Sequence, residues 1–311
     1  MAGPTRTTAV RTAVAAVLVT LFITPSALAA TSVVEPVVNT ANFEYAPSGG
    51  GGYVTYASNS EAHPRHYNTY LLPDGGTPIR INEEGTGGAT AGIDGDTVVY
   101  EQDGDLMLYD IPSATRSAVP AGINTDMVEG DPSMSGEWLL FGRYDFSLRR
   151  VPSWVILHNL TTGEDRILAH GPGYSMFAEQ VNGLFVAYTD GVNEFRYDIA
   201  ADTTTEVPGT DDGKYGAGSI ESDGTLYAVW GPFGCGGGYE IRRFDTDSTL
   251  TTIYVYPQRR QVAWKTFAVE TDAGATNVLF DSLNCRTFTS NIFRLDDADT
   301  ATGPSTAVRI G

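Results

Sequence analysis

Residues 222–230 read SDGTLYAVW, a turn formed by Ser222, Asp223 and Gly224 followed by an apolar run that ends in an aromatic residue. The same pattern of a glycine, a short apolar run and an aromatic end recurs at Gly51–Tyr56, Gly95–Tyr100, Gly136–Phe141, Gly183–Tyr188 and Gly274–Phe280. Successive aromatic ends lie 41 to 50 residues apart. That period is typical of repeats that each contain four β-strands. The chain is therefore expected to contain six similar units.

A second element follows each apolar run. It reads TYLL (69–72), LMLYDI (106–111), VILHNL (155–160), EFRYDI (194–199), EIRRFD (240–245) and NIFRLD (291–296). Each copy is followed by a polar turn and a short strand-like stretch, such as residues 77–81, 116–119, 165–168 or 251–256. We expect Thr306–Ile310 to complete the sixth unit in the same way.

We interpret each unit as a meander of four antiparallel strands, A to D, with the glycine in the tight A–B turn. Dipeptides such as Asn182-Gly183 and Asp223-Gly224 suit the positive φ angles of such turns. Strand B is nearly all apolar, as expected where neighbouring blades cover both of its faces. Units of this kind normally close into a ring, although an open stack would show the same repeat. The sequence predicts an all-β, six-bladed β-propeller of four-stranded antiparallel blades.

The predicted organisation is a signal peptide at 1–30 and a single β-propeller domain at 31–311. The predicted blades span 41–82, 88–120, 128–169, 176–208, 216–256 and 264–311. Residues 31–41 precede blade one, and they either add an outer strand or lie loose.

The units resemble the TolB-like, WD-repeat-like propeller repeat. In that family a blade usually opens with Ser-Pro-Asp-Gly, and Ser222-Asp223-Gly224, Ser133–Gly136 and Ile93–Gly95 approach this pattern without completing it. The resemblance covers residues 41–311 and implies the propeller fold. It implies less about activity, since such propellers include binding proteins, peptidase side domains, lyases and hydrolases. In TolB itself the propeller is an interaction module in the cell envelope.

The first thirty residues have the pattern of a secretory signal peptide. Arg6 and Arg11 form a basic start, residues 13–23 (AVAAVLVTLFI) are apolar, and Ala27-Leu28-Ala29 fits the small-x-small cleavage rule. An uncleaved membrane anchor is the alternative, but the apolar run is short for a bilayer span. We expect a protein secreted to an extracellular or periplasm-like space, with no membrane span after cleavage.

The charge balance argues against nucleic acids and anionic lipids as partners. The chain carries 38 acidic and 19 basic residues, which gives a formal net charge of −19. A strongly acidic surface repels nucleic acids and anionic lipids, and it keeps an exported protein soluble. We expect no nucleic-acid partner, and we expect a monomer.

Candidate binding residues lie in the predicted B–C loops, which share one face of the ring with the D–A connections. The blade-one loop SNSEAHPRHYN contains His63, Arg65 and His66. The blade-three loop region contains a cluster of arginines and aromatic residues, namely Arg143, Tyr144, Phe146, Arg149, Arg150 and Trp154. Arginines clustered with aromatic residues are typical of recognition patches. The alternative is that these residues only pack within the loops and pair with nearby acidic side chains.

The two cysteines occupy equivalent positions in adjacent blades. Cys235 follows Trp230 by five residues, and Cys285 follows Phe280 by five. This parity predicts a disulfide between blades five and six, which export would permit. A nucleophilic cysteine is the alternative, but no histidine lies nearby in the sequence.

Catalytic and metal-binding motifs are weak. The four histidines do not have the spacing of a zinc site, so no transition metal or other cofactor is expected. Stretches such as Asp94-Gly95-Asp96 resemble parts of calcium loops without the complete spacing. Calcium binding elsewhere, including in the central channel, stays an open alternative.

Two functional hypotheses remain. The first is a non-catalytic binding module for an extracellular or envelope protein or polysaccharide. The second is an extracellular hydrolase or lyase that acts on a carbohydrate or lactone at the channel mouth.

Overall fold

The computed structural model describes residues 34–38, 40, 42–60, 63–173, 176–208, 218–231, 238–256, 261–263, 265–271, 274–287, 289–299 and 305–306. Regular structure within these ranges is β-strand, arranged in six sheets. The predicted signal peptide at 1–30 lies outside the described residues. Nowhere in the described ranges is there a helix long and apolar enough to cross a membrane.

Strands are numbered in chain order, and β1 (Val34–Val38) precedes the first blade. Blades one to four each consist of four consecutive antiparallel strands. Blade one contains β2 (Glu44–Gly50), β3 (Tyr53–Ser60), β4 (His63–Pro73) and β5 (Ile79–Arg80). Blade two contains β6 (Gly88–Asp94), β7 (Thr97–Gln102), β8 (Asp105–Asp110) and β9 (Thr115–Ala118). Blade three contains β10 (Val128–Ser135), β11 (Trp138–Tyr144), β12 (Ser153–Asn159) and β13 (Asp165–Gly171).

Blades four to six contain the remaining strands. Blade four contains β14 (Phe177–Asn182), β15 (Phe185–Thr189), β16 (Glu194–Asp198) and β17 (Thr203–Glu206). Blade five contains β18 (Ser219–Ile220), β19 (Leu226–Trp230), β20 (Tyr239–Phe244) and β21 (Leu250–Tyr256). Blade six contains β22 (Gln261–Val262), β23 (Thr266–Glu270), β24 (Thr276–Asn284) and β25 (Thr289–Leu295), and β26 (Ser305–Thr306) follows it.

The N-terminal strand completes the last blade. β1 pairs antiparallel with β25, with Val34 opposite Leu295, so blade six runs β23–β24–β25–β1 from the inside outward. Residues 31–41 therefore supply an outer strand within 34–38. The expectation that Thr306–Ile310 completes the sixth unit was wrong for its described part, because β1 already occupies the free edge of β25. Thr306 lies in β26, which pairs parallel with β21 of blade five, and residues 307–310 lie outside the described ranges.

The inner strands form a closed ring. The strands β2, β6, β10, β14, β18 and β23 each contact the inner strand of the next blade, and β23 contacts β2. The Gln180 amide strengthens this closure across the channel. Its Nε2 donates to the carbonyl of Ala268 at 3.0 Å, and its Oε1 accepts from the N–H of Ile220 at 3.0 Å. One side chain of blade four thus joins blades five and six.

The core is divided among the junctions between blades. Each of six buried apolar clusters combines residues of two neighbouring blades. Between blades two and three, for example, Val99 and Leu106 pack with Leu139, Phe141 and Ile156. The B strands lie in the middle of each sheet, which explains why their sequences are almost continuously apolar. A single sheet could not bury both of its faces alone, so the ring stabilises the blades mutually.

In blades one and six, extended strands B and C take the place of most of the B–C loop. In blade one, β3 continues to Ser60 and β4 begins at His63, so the expected loop is an extended hairpin arm. In blade six, β24 and β25 also extend, and a short turn joins them. The blade-three connection between Tyr144 and Ser153 is a long loop, as expected.

Candidate binding site on the loop face

Hydrogen bonds between residues at its two ends hold the blade-three loop between β11 and β12. The N–H of Asp145 donates to the carbonyl of Pro152 at 3.1 Å, and the Asp145 carboxylate accepts from the N–H of Ser147 at 3.0 Å. Hydrogen bonds of this kind fix the ends of a loop while leaving its tip in solvent. Residues 146–150 form this tip and are exposed.

The tip presents apolar and basic side chains to solvent. Phe146 is 55% exposed and Leu148 is 52% exposed, and Arg149 and Arg150 follow them directly. The short connection of blade four, on the same face, presents Val192, which is 50% exposed. Large apolar side chains left in solvent beside cations are the usual composition of a protein-binding surface. We call residues 146–150 the blade-three tip.

Arg143 and Tyr144, which the sequence placed in the same patch, lie below the tip. The Arg143 Nε forms an ion pair with the Glu129 Oε1 at 2.8 Å, and its Nη2 donates to the carbonyl of Ile123 at 2.7 Å. Tyr144 is buried, and its hydroxyl donates to the Asp131 Oδ2 at 2.7 Å. Both side chains therefore bond to their own chain in this structure and are not presented to a partner.

Trp154 occupies an intermediate position. It lies in β12 opposite His170 of β13, and the two rings stack with centroids 4.9 Å apart. Trp154 is half-buried against the cluster between blades two and three, whereas His170 is exposed. Trp154 thus supports the outer part of blade three. His63 and His66 lie in β4, and their side chains are outside the described part of the structure.

A group of acidic side chains lies beneath the loop face, and no motif in the sequence marks it as a site. Glu101 is the penultimate residue of β7, Asp131 lies in a bulge of β10 with a φ of 51°, and Glu179 lies in β14. Burial raises the pKa of Glu101 to about 8, and the negative charge of Asp131 adds to this effect. With 38 acidic residues in the chain, spacing alone could not distinguish these from surface acids.

Glu179 and Glu194 form a buried carboxylate pair within blade four. Glu179 is 1% exposed and Glu194 is 0% exposed. Burial raises the pKa of Glu179 to about 7. Burial, followed by the negative charge of Glu179, raises the pKa of Glu194 well above its ordinary value. Two adjacent carboxyl groups in a buried site resist simultaneous ionisation, so the pair holds either a proton or a cation at neutral pH.

The other end of the channel contains a small cavity. Its volume is about 170 Å³, and residues of the A–B turns of five blades line it, including Asp94, Asn182 and Glu270. These polar groups bond to other blades. The Asp94 Oδ2 accepts from the N–H of Gly136 at 2.7 Å, and the Asn182 Nδ2 donates to the Glu270 Oε1 at 3.2 Å. Polar groups here therefore join the blades at their turns.

Two other predictions depend on residues at the margin of the described structure. The described residues include no free cysteine, but Cys235 is outside them, so the disulfide with Cys285 stays a prediction. Among the described side chains, no three or more His, Cys, Asp or Glu residues are grouped so that they could hold a metal ion.

Comparisons with known proteins identify the fold. No protein-family model matches the chain, and no curated protein sequence matches it. The calcium-binding protein regucalcin from Agrobacterium tumefaciens matches with a TM-score of 0.56 and 13% identity, over 88% of this chain and 94% of that one. A puromycin-hydrolyzing peptidase from Mycobacterium tuberculosis matches with a TM-score of 0.51 and 12% identity, over 90% of this chain and 56% of that one. An oligogalacturonate lyase in complex with manganese matches with a TM-score of 0.44 and 14% identity, over 77% of this chain and 73% of that one. The likeness to the first two structures concerns architecture at these identities, and with the strand pairing it identifies the chain as a six-bladed β-propeller.

Proposed function

We propose that this chain is an exported TolB-like propeller that acts as a non-catalytic binding module, and that its blade-three tip binds an extracellular or envelope protein. The observation that carries the proposal is the exposure of Phe146 and Leu148 beside Arg149 and Arg150. Apolar anchors bordered by arginine are typical of protein interfaces. The chain as a whole has a net charge of −19, so these two cations favour a partner with an acidic contact surface.

The test is capture of partners by the mature protein. The purified chain would be used as bait against envelope and secreted material of the source cells, with proteins and sugars identified by mass spectrometry. The tip variant would carry Phe146→Ala, Leu148→Ala, Arg149→Ala and Arg150→Ala together. We expect a protein partner that the tip variant loses.

Matched controls separate the tip from general surface effects. Leu184 and Leu250 are comparably exposed in turns of the opposite face, and Arg286 is exposed in the blade-six turn. A control with these three residues changed to alanine should retain the partner. Equal loss in both variants would contradict binding at the tip. Recovery of a polysaccharide in place of a protein would contradict the proposed partner class.

The second candidate function is the hydrolase or lyase that acts on a carbohydrate or lactone. The buried pair of Glu179 and Glu194 favours it, because one protonated and one ionised carboxyl group can serve as acid and base. Both side chains are at most 1% exposed, however, and a catalytic group must contact its substrate. Turnover of oligosaccharides or lactones that is lost in Glu179→Gln would establish the enzyme and contradict the binding module.

Export and calcium are proposed on the sequence alone. Cleavage after Ala29 or Ala30 should leave a secreted form whose N-terminal sequence can be read directly. Performing the capture with and without chelator would test whether calcium supports partner binding. A monomer should be seen by light scattering in either condition.

A further inference from the structure

The outer edge of blade three is a long strand without a further neighbour. β13 is seven residues long and ends the strand order of its sheet. The outer strands β21 and β25 of blades five and six are equally long, and β26 and β1 pair with them. The outer strands of blades one, two and four have only two to four residues. Within the described residues, β13 is therefore the one long outer strand whose edge no other strand covers.

One face of β13 is open towards blade two. Ile167 and His170 lie opposite Ile156 and Trp154 of β12, which pack in the cluster between blades two and three. Residues directly opposite each other on paired strands share a face of the sheet, so Ile167 and His170 also face blade two. The outer strand β9 of blade two is short and exposed along its length, and it leaves this face uncovered. Ile167 is 64% exposed, more than any other large apolar side chain in the described ranges.

The other face of β13 holds the strand in place. Leu168 and Ala169 pack against the cluster between blades three and four, and the Leu168 carbonyl accepts from the Tyr188 hydroxyl at 3.5 Å. The Arg166 Nη1 donates to the Tyr197 hydroxyl at 3.1 Å. An edge strand that is fixed on one face presents main-chain N–H and C=O groups to another chain, and it loses little freedom when that chain pairs with it.

The charges at the two ends of β13 differ. Gly171 pairs with Ser153, so the blade-three tip with its two arginines lies at the same end of the blade as Gly171 and the exposed His170. Glu164 and Asp165 lie at the other end. This polarity favours a partner segment whose acidic end lies towards the tip. A second copy of the chain is disfavoured as the occupant, because two molecules that each carry a net charge of −19 repel each other.

We propose that the outer edge of β13 binds an extended segment of a partner protein, which adds to the four strands of blade three with apolar side chains beside Ile167 and an acidic end towards the blade-three tip. The inference rests on the proposed function in that the partner is a protein. Main-chain hydrogen bonds supply affinity in this mode of recognition, and the side chains on the exposed face supply specificity. The added strands β1 and β26 show that outer edges of this length accept a further strand in this molecule.

The test uses synthetic peptides of the same length as β13 with the purified mature protein. Valine and threonine alternate in both peptides, and a pair of aspartates stands at the N-terminus of one and at the C-terminus of the other, so that either direction of pairing is sampled. We expect one peptide to bind in a fluorescence anisotropy titration and to slow amide hydrogen exchange in β13. A copy with N-methylated amides should not bind, because it cannot donate to the edge.

Ile167→Lys is the decisive variant, because a lysine on an edge strand opposes the addition of another strand. We expect it to weaken peptide binding by about tenfold or more. Ile79→Lys is the matched control, since Ile79 is 45% exposed in the two-residue outer strand β5, and it should bind as the wild type. Failure of both peptides to bind would overturn the proposal. Equal binding by the two variants, or by the N-methylated copy, would overturn it as well.

The peptide test needs no natural partner, so its result is separate from that of the capture experiment. A captured protein that the tip variant loses and Ile167→Lys retains would support the proposed function and overturn binding at the edge. Peptide binding that Ile167→Lys weakens would support the edge even if the tip variant retained every captured protein. A dimer of the free chain that Ile167→Lys dissociates would place a second copy on the edge and overturn the choice of partner.

Discussion

At the scale of single residues, Arg143 and Arg149 show how strongly position changes the role of one residue type. Arg143 lies at the end of β11 and neutralises the buried Glu129, whereas Arg149 lies at the exposed blade-three tip. We expect Arg143→Ala to lower the free energy of unfolding by about 3 kcal/mol, because Glu129 would remain buried without its partner. Urea denaturation followed by tryptophan fluorescence would measure this.

Arg149→Ala is the matched control for that experiment. An exposed arginine usually contributes within about 0.5 kcal/mol, so its urea midpoint should stay near that of the wild type. Equal destabilisation of the two variants would contradict the assignment of a structural role to Arg143 and a binding role to Arg149.

Glu101 leads to a prediction about pH. Its pKa is raised from 4.5 to about 8 in the folded state, mainly by burial. Between these values the unfolded chain loses the proton that the folded chain keeps, so stability falls as the pH rises from about 4.5 to about 8. Glu101→Gln should be the more stable protein at pH 8, by an amount on the order of a few kcal/mol. At pH 4.5 the two proteins should be nearly equal.

Thermal melts across this pH range would check the prediction, with Glu84→Gln as the exposed control. Glu44 and Glu179 also have a pKa raised to about 7, so the wild-type curve should keep part of its slope in Glu101→Gln. A difference between wild type and Glu101→Gln that does not change with pH would contradict a raised pKa of Glu101.

At the scale of elements, β1 is the strand that closes the ring. Val38 is 5% exposed and packs with Tyr56 of blade one and Ile292 of blade six. Val38→Asp would place a charge in this junction, and we expect a loss of several kcal/mol. Val192→Asp, at a half-exposed position, should be nearly neutral. Circular dichroism melts of both variants would measure the difference, and equal melting temperatures would contradict closure by β1.

Elements with a local signature could be predicted, whereas those that depend on distant partners could not. The A–B turn at Gly95 and the B strand ending at Tyr100 follow from neighbouring residues, and the structure has β7 at Thr97–Gln102. The pairing of Val34 with Leu295 joins opposite ends of the domain, and no spacing indicates it. Burial of Glu179 likewise depends on blades that meet only after folding. The exposed Phe146 was recognisable because its loop was long.

At the scale of the whole molecule, two links besides packing are expected to hold blade six in the ring. One is β1, and the other is the predicted disulfide between Cys235 and Cys285, which would connect blades five and six. The closed loop would contain about 50 residues, which corresponds to roughly 4 kcal/mol on the chain-entropy model. Cys285→Ser should therefore lower stability by up to this amount, since it would remove a constraint on the unfolded chain.

Intact mass before and after reduction would show whether the bridge is present, because its reduction adds two hydrogens. Both serine variants should match the reduced wild type in stability, and the double variant should lose no more than either single variant, because one bond is removed in all three. Additive losses would instead mean that each cysteine stabilises its own loop. Blades five and six would then be joined without a covalent bond, by packing and by hydrogen bonds such as that from the Tyr239 hydroxyl to the Ser282 Oγ, and β1 would be the main closure of the ring.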